Sequence, residues 1–185
     1  MYYTLHLLEI AALVALSFPS HPLSAPLLSR LFRLPSGSPA HLSLSPTFLL
    51  GFLLLLVGGA LRHLCYATLG RFFTYQLGLF KGHKLVTWGP YAVVRHPSYT
   101  AFVLATAGLI AVLFGPGSYL YESGALRESR WVLAGAVLWV LWVLCIVATL
   151  IGRMENEDRV LRKEFRKEWE EWARKTPYRL VPYLY

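Results

Sequence analysis

The chain has 185 residues, of which 56% are hydrophobic and 15% are charged, and its formal net charge is +8. This composition is too apolar for an ordinary soluble domain and indicates an integral membrane protein. The positive charge does not favour nucleic acid as a partner, because the basic residues lie beside apolar segments rather than in a patch on a soluble fold.

Four apolar segments predict transmembrane helices within one domain that covers residues 1–185. The first segment has the length of a secretory signal, but it lacks a basic n-region, so we interpret it as a span. The approximate bounds of the spans are 2–18, 47–69, 98–114 and 131–152. The expected fold is an all-α integral membrane protein, with about four transmembrane helices and a cytosolic amphipathic C-terminal helix.

A polar and aromatic loop, residues 71–97, separates the second and third predicted spans. Gly89-Pro90 and His96-Pro97 interrupt any helix there, because proline lacks a donor N–H and restricts the residue before it. Loops on rigid scaffolds commonly carry function, so this loop is a candidate ligand site. The alternative is a simple connector at the membrane surface, where Tyr, Trp and Arg are ordinary anchors.

The C-terminal segment, residues 153–185, is charged and amphipathic, which is typical of a helix lying against a membrane or a bundle. Its apolar residues at helical spacing are Met154, Leu161, Phe165, Trp169 and Trp172. Lys and Arg number five between residues 62 and 95 and nine between 153 and 179, against four in the two opposite loops. The positive-inside rule therefore predicts that the central loop and the C-terminal segment share the cytosolic face.

Arg153 and Glu157 are four residues apart and share one helix face just outside the fourth predicted span. An arginine there can grip a carboxylate bidentately, and a glutamate can accept from a cationic ligand. The loop residues Tyr91, His96 and Tyr99 are expected on the same side of the membrane. The alternative is a surface salt bridge worth about 0.3–0.5 kcal/mol.

Several other chemistries lack their sequence signatures. The chain has no GxSxG elbow and no GxxxxGK[ST] loop, and its glycine pairs follow apolar helices rather than strands. His63, His83 and His96 do not form a metal set with nearby Cys or Asp, so we expect no metal site. Cys65 and Cys145 lie in apolar segments and match neither a zinc site nor a disulfide framework.

The loop LVTWGPYAVVRHPSY, the downstream RMENEDRVLRKEF and the final TPYRLVPYLY resemble the isoprenylcysteine carboxyl methyltransferase family. The resemblance covers roughly residues 76–185. It implies an integral membrane enzyme that uses S-adenosylmethionine to methylate the C-terminal carboxylate of prenylated cysteine, a step of CaaX processing. The implied partners are prenylated proteins or small analogues and membrane lipid, and the implied location is the endoplasmic reticulum, with the active site facing the cytosol.

The resemblance also implies roles for individual residues. Arg153 resembles the arginine that contacts the substrate carboxylate, and Glu157 resembles the glutamate that helps to hold the cofactor; both are the expected catalytic residues. The remaining positions that resemble cofactor-binding residues are Gln76, His83, Lys84, Leu85, Val86, Tyr91, His96, Pro97, Ser98 and Tyr99.

The chain departs from the family pattern in two respects. Only two spans precede the central loop, whereas family members usually have more, and Arg166 occupies a position where glycine is common. Three alternatives therefore stay open. One is a membrane methyltransferase for a phospholipid amine or a small thiol, since relatives with those acceptors share the RHPxY element. The others are an NADPH-dependent sterol-type reductase, whose closing motif is similar, and a non-catalytic membrane scaffold.

Overall fold

Three long apolar helices form the frame of the protein. The computed structural model describes residues 2–32, 42–72, 82 and 84–184. The long helices are α3 (Pro46–Leu69), α4 (Pro97–Phe114) and α7 (Arg130–Phe165), and the described residues contain no β-strand. Each of the three is long and apolar enough to cross a membrane. The expected all-α membrane fold is confirmed.

The first predicted span, 2–18, forms helix α1 (Tyr2–Ser17), which is shorter than the other three. Its 16 residues extend about 24 Å, whereas a bilayer core is roughly 30 Å thick. Three helices of spanning length are therefore found in the described part of the chain, not four. The two spanning helices α4 and α7 separate the central loop from the C-terminal segment, so the chain returns to the same side of the membrane. This prediction therefore holds whether or not α1 crosses the membrane.

The chain divides into two compact units, and each of the three long helices contributes residues to both. Unit 1 contains residues Met1–Leu53 and Ala107–Trp142. Its shorter helices are α1, α2 (Ser24–Leu31), α5 (Tyr119–Glu122) and α6 (Ala125–Glu128). Ala12, Phe32 and Tyr119 form its buried apolar cluster, and Tyr119 donates its hydroxyl to the carbonyl of Leu31 at 2.9 Å. None of the predicted site residues lies in this unit.

Unit 2 contains residues Leu54–Thr106 and Val143–Tyr185, and it holds every described residue of the predicted site. In this unit α3 and α4 approach closely at Gly58. A Cβ atom at Gly58 would lie 2.7 Å from the backbone nitrogen of Ala105 and 2.8 Å from the carbonyl oxygen of Ala101. Only glycine permits this contact, the usual role of small residues between membrane helices. The neighbouring Gly59 faces open space, with no atom within 4 Å of its would-be Cβ.

Helix α7 does not stop at the predicted end of the fourth span, residue 152. It continues to Phe165, so its 36 residues extend about 54 Å. Arg153 and Glu157 are therefore part of the same continuous helix. The break comes at Arg166, which has φ 45° and ψ −110°, and α8 (Lys167–Lys175) follows. The expectation of one amphipathic C-terminal helix is therefore corrected. A left-handed φ interrupts the helical hydrogen bonds and separates α7 from α8.

The segment after α8 lies along the loop before α4. The backbone nitrogens of Arg95 and His96 donate to the carbonyls of Tyr178 and Arg179, each at 2.9 Å. These two bonds fix the segment after α8 against the residues that precede α4. They satisfy polar backbone groups that no helix supplies with partners.

Candidate active site

The central loop brings its polar residues to the start of α4. The loop forms a short 3₁₀ helix, Gly89–Ala92, and Pro97 then begins α4, a position where its missing N–H costs nothing. Tyr99 lies in the first turn of α4, and His96 immediately precedes the helix. The proline thus fixes where the helix begins and which residues its first turn presents.

Glu157 on α7 lies at the centre of the polar cluster. Tyr99 donates its hydroxyl to Glu157 Oε1 at 2.6 Å, and Arg153 Nε lies 3.1 Å from the same oxygen. The Arg153 and Glu157 side chains are 33% and 22% exposed. The Arg153–Glu157 pair is therefore not an isolated surface salt bridge, because α4 also contacts it and water reaches it only in part.

His96 lies between two carboxylates and is buried. Its Nε2 atom is 3.1 Å from Asp158 Oδ1, and its Nδ1 atom is 3.6 Å from Glu157 Oε2. Burial by itself lowers the pKa of His96, but the Asp158 and Glu157 carboxylates outweigh it and raise that pKa above its ordinary value. The imidazole is therefore favoured in its charged form, as a donor toward both carboxylates.

Asp158 is a member of this cluster that the sequence interpretation missed. It is buried, and its Oδ2 atom lies 3.4 Å from Arg95 Nη1 and 3.5 Å from Arg179 Nε. A signal for it was present in the sequence. Asp158 follows Met154 by four residues and precedes Leu161 by three, so it lies on the apolar stripe of the helix. A carboxylate on a buried stripe indicates a paired charge.

Arg62 on α3 is a second residue whose position the sequence did not reveal. It donates to the carbonyl of Ser98 at 3.4 Å. Its guanidinium lies over the rings of Tyr66 and Phe102, at 5.1 and 5.5 Å from their centroids. The cation is therefore held at the start of α4 by aromatic faces.

The apolar loop residues pack into a core instead of facing the polar cluster. Leu85, Val86 and Tyr91 are buried in one hydrophobic cluster, which also contains Cys65, Trp169 and Trp172. Trp172 donates its indole N–H to the carbonyl of Tyr91 at 2.9 Å, which anchors α8 to the loop. Burial also raises the pKa of the Tyr91 hydroxyl, so this group stays neutral.

The other predicted positions are distributed as follows. Pro97 is fully buried, Ser98 is half-buried, and Lys84 is exposed. The backbone N–H and C=O groups of Leu85 and Val86 have no hydrogen-bond partner among the described residues. Gln76 and His83 lie outside the described residues. The structure thus brings together Arg153, Glu157, His96 and Tyr99, and it places Leu85, Val86 and Tyr91 in the adjacent core.

This arrangement presents opposite charges side by side on α7, just beyond the apolar part of that helix. Glu157 can attract a cationic group, and the neighbouring guanidinium of Arg153 can attract an anionic one. Tyr99 and His96 hold the glutamate from the side of α4. Such a cluster can bind two ligand groups of opposite charge close together.

Comparison with known proteins gives the same family that the motifs suggested. Residues 49–123 match the model of the isoprenylcysteine carboxyl methyltransferase (ICMT) family. A probable protein-S-isoprenylcysteine O-methyltransferase of Oryza sativa subsp. indica is 30% identical over 127 residues, which cover 68% of this chain and 56% of the relative. Protein-S-isoprenylcysteine O-methyltransferase B of Arabidopsis thaliana is 27% identical over 129 residues, which cover 69% of this chain and 55% of the relative.

A relative with a different name also matches. The cobalt-zinc-cadmium resistance protein of Cupriavidus metallidurans is 35% identical over 112 residues, which cover 60% of this chain and 42% of the relative. No solved structure matches the chain. The chain spans little more than half the length of the plant relatives. The resemblance is confirmed, and the chain is a relative of the isoprenylcysteine carboxyl methyltransferase family.

Proposed function

We propose that this chain is a membrane methyltransferase that transfers the methyl group of S-adenosylmethionine to the C-terminal carboxylate of a prenylated cysteine. One observation carries the proposal. The Arg153–Glu157 pair lies on α7 just beyond its apolar part, and Tyr99 and His96 hold Glu157 from the start of α4. The similarity to proteins named protein-S-isoprenylcysteine O-methyltransferase supports the same activity.

The described residues fit a cationic sulfonium nucleotide. Glu157 is an ionised side chain that is 22% exposed, so its carboxylate can attract a cationic ligand group. The backbone groups of Leu85 and Val86, without partners among the described residues, suit the hydrogen-bonding edge of a nucleobase. When bound, S-adenosylmethionine supplies an electrophilic methyl group. Gln76, His83, Lys84 and the Pro97–Ser98 pair remain assigned to this cofactor by resemblance.

The chain's own contribution to the chemistry is binding and orientation. A carboxylate is already ionised at neutral pH, so its methylation requires no general base. Arg153 orients that carboxylate by charge-assisted hydrogen bonds. Glu157, fixed by Tyr99 and His96, holds the cofactor next to it. Such positioning can supply about 7–11 kcal/mol of the activation barrier.

The surface of unit 2 supports a lipid-linked acceptor. Trp88 and Val93 in the central loop and Val181 and Leu184 near the C-terminus are exposed apolar side chains. Apolar side chains in these two segments suit a membrane boundary better than water. We place the active site on the cytosolic face, from the distribution of Lys and Arg, and in the endoplasmic reticulum, from the family resemblance. The prenyl chain enters from the bilayer between helices.

Transfer of labelled methyl from S-adenosylmethionine to a farnesylated cysteine analogue tests the proposal. The assay uses membranes that contain the full chain, and the control acceptor is the same analogue with its carboxylate amidated. We expect label only on the free carboxylate. Transfer to a phospholipid or a small thiol instead would reassign the acceptor, and stabilisation by NADPH without any methyl transfer would favour a reductase.

Matched substitutions on α7 test whether Arg153 and Glu157 matter more than nearby exposed residues of the same charge. We expect Arg153→Gln to raise the KM for the acceptor and Glu157→Gln to weaken cofactor binding, each by about tenfold or more, since each removes one charge-assisted contact. The controls are Arg159→Gln and Glu155→Gln, which remove the same charges from exposed positions nearby. Equal losses in the variants and their controls would contradict the assignment. Full turnover in all four variants would also contradict it, whereas the absence of methyl transfer to any acceptor in the wild type would favour a non-catalytic scaffold.

A further inference from the structure

Asp158 is a buried carboxylate that the proposed reaction does not use directly. Its side chain is 7% exposed, and His96 Nε2 lies 3.1 Å from its Oδ1 atom. We propose that Asp158 is a positioning residue: it holds the His96 imidazole so that the ring orients the Glu157 carboxylate. The inference rests on the proposed function, in which Glu157 holds the cofactor.

Two neighbouring arginines stabilise the negative charge of the Asp158 carboxylate. Arg95 Nη1 and Arg179 Nε lie 3.4 and 3.5 Å from its Oδ2 atom. A buried carboxylate is costly without such partners, and two guanidiniums compensate its charge. Because they contact Oδ2, they leave Oδ1 directed at His96. The carboxylate is therefore a fixed anion against one ring nitrogen.

A fixed anion at Nε2 determines what the other ring nitrogen does. A neutral imidazole donates from one nitrogen only, and its second nitrogen would then present a lone pair to Glu157 Oε2, at 3.6 Å. A protonated ring donates toward both carboxylates, and the raised pKa of His96 agrees with this state. The charged or titratable groups around His96 are Glu157 and Asp158 on α7, Tyr99 on α4, Arg95 in the loop and, through Asp158, Arg179.

The substitution Asp158→Asn removes the anion and keeps nearly the same shape. His96 then loses its proton at a lower pH than in the wild type, and Glu157 loses a cationic neighbour. We expect the affinity for S-adenosylmethionine to fall about tenfold with rising pH in Asp158→Asn, and the wild type to show this fall only at a higher pH.

The control is Arg179→Gln. It removes one guanidinium from the same carboxylate but leaves the anion beside His96. The pH dependence of its affinity should match that of the wild type, even where the variant is less stable. A merely structural role for Asp158 predicts a loss of affinity that does not depend on pH in either variant.

A ¹⁵N-histidine titration of the full chain in detergent tests the pairing without any cofactor. The His96 signal is assigned by its loss in His96→Gln, and we expect the ring to lose its proton at a higher pH than an unperturbed imidazole. A ring that loses its proton at or below the pH of an unperturbed imidazole, or an affinity profile in Asp158→Asn that matches the wild type, would overturn the inference. If no variant binds S-adenosylmethionine, the proposed function fails, and the titration still decides whether Asp158 governs His96. If Asp158→Asn does not fold, the titration of Glu157→Gln decides the question: a His96 pKa that stays above the ordinary value is then held there by Asp158, and a pKa that returns to it would overturn the inference.

Discussion

Replacing Tyr99 with Phe removes one hydroxyl from the polar cluster and keeps the ring. That hydroxyl donates to Glu157 Oε1 at 2.6 Å, while the ring stacks beside His96 with 5.7 Å between centroids. A hydrogen bond to an ionised group contributes about 1.5–3 kcal/mol. The lower end applies here, because the Glu157 side chain is 22% exposed and retains its contact with Arg153. We therefore expect S-adenosylmethionine to bind about tenfold more weakly to Tyr99→Phe.

Equilibrium binding of labelled S-adenosylmethionine to the purified chain in detergent measures this effect. The control is Tyr178→Phe in the same unit, since the Tyr178 ring contacts Tyr183 at 5.3 Å and its backbone carbonyl bond to the loop survives the change. Thermal unfolding of both variants shows whether lost affinity merely follows lost stability. Unchanged affinity in Tyr99→Phe, or an equal loss in Tyr178→Phe, would refute the claim that the Tyr99 hydroxyl orients Glu157 for the cofactor.

Three further predictions concern stability in detergent, each read from thermal unfolding. Gly58→Ala should destabilise the protein by about 1–3 kcal/mol because its Cβ atom would clash with the α4 backbone. Gly59→Ala is the control and should be neutral or slightly stabilising. Equal effects of the two substitutions would contradict the close approach of α3 and α4. Arg166→Gly should stabilise by about 1 kcal/mol because φ 45° strains a side-chain-bearing residue, and a loss of stability would exclude that strain. The pKa of His96 is raised on folding, so the protonated ring contributes fully to the free energy of unfolding below about pH 6.5, and this contribution is lost as the pH rises through the folded pKa. The difference in stability between the wild type and His96→Gln should therefore become smaller with rising pH. A difference that grows with pH would show that folding does not raise this pKa.

The long helices were predictable because an apolar segment in a bilayer must satisfy its backbone hydrogen bonds internally, and an α-helix does so. Residues 47–69 and 98–114 were expected as spans, and the helices found are Pro46–Leu69 and Pro97–Phe114. The first segment, residues 2–18, was also expected as a span, but its helix falls short of spanning length. The end of α7 was not predictable from hydropathy, because hydropathy marks where the apolar run stops, whereas backbone geometry at Arg166 decides where the helix stops.

Part of the candidate site also followed from the sequence. Helical spacing put Arg153 and Glu157 on one face, and the RHPSY motif singled out His96 and Tyr99. The contact between these two groups required the tertiary structure, because they lie about 60 residues apart in sequence, as the 58-residue separation of Tyr99 and Glu157 shows. The packing of Leu85 and Val86 against α8 could not be predicted either, because a sequence motif gives residue types but not their packing partners.

The amino-acid order alone determined the membrane class, the helical frame and the common side of the loop and the C-terminal segment, because hydropathy, proline and charge act locally along the chain. Only the tertiary structure determined that His96 lies between Glu157 and Asp158. It also showed that Arg95 and Arg179, from the two separate chain segments of unit 2, compensate the charge of Asp158. Pairing of buried charges depends on distances of a few ångströms between segments far apart in sequence, and no local pattern encodes those distances.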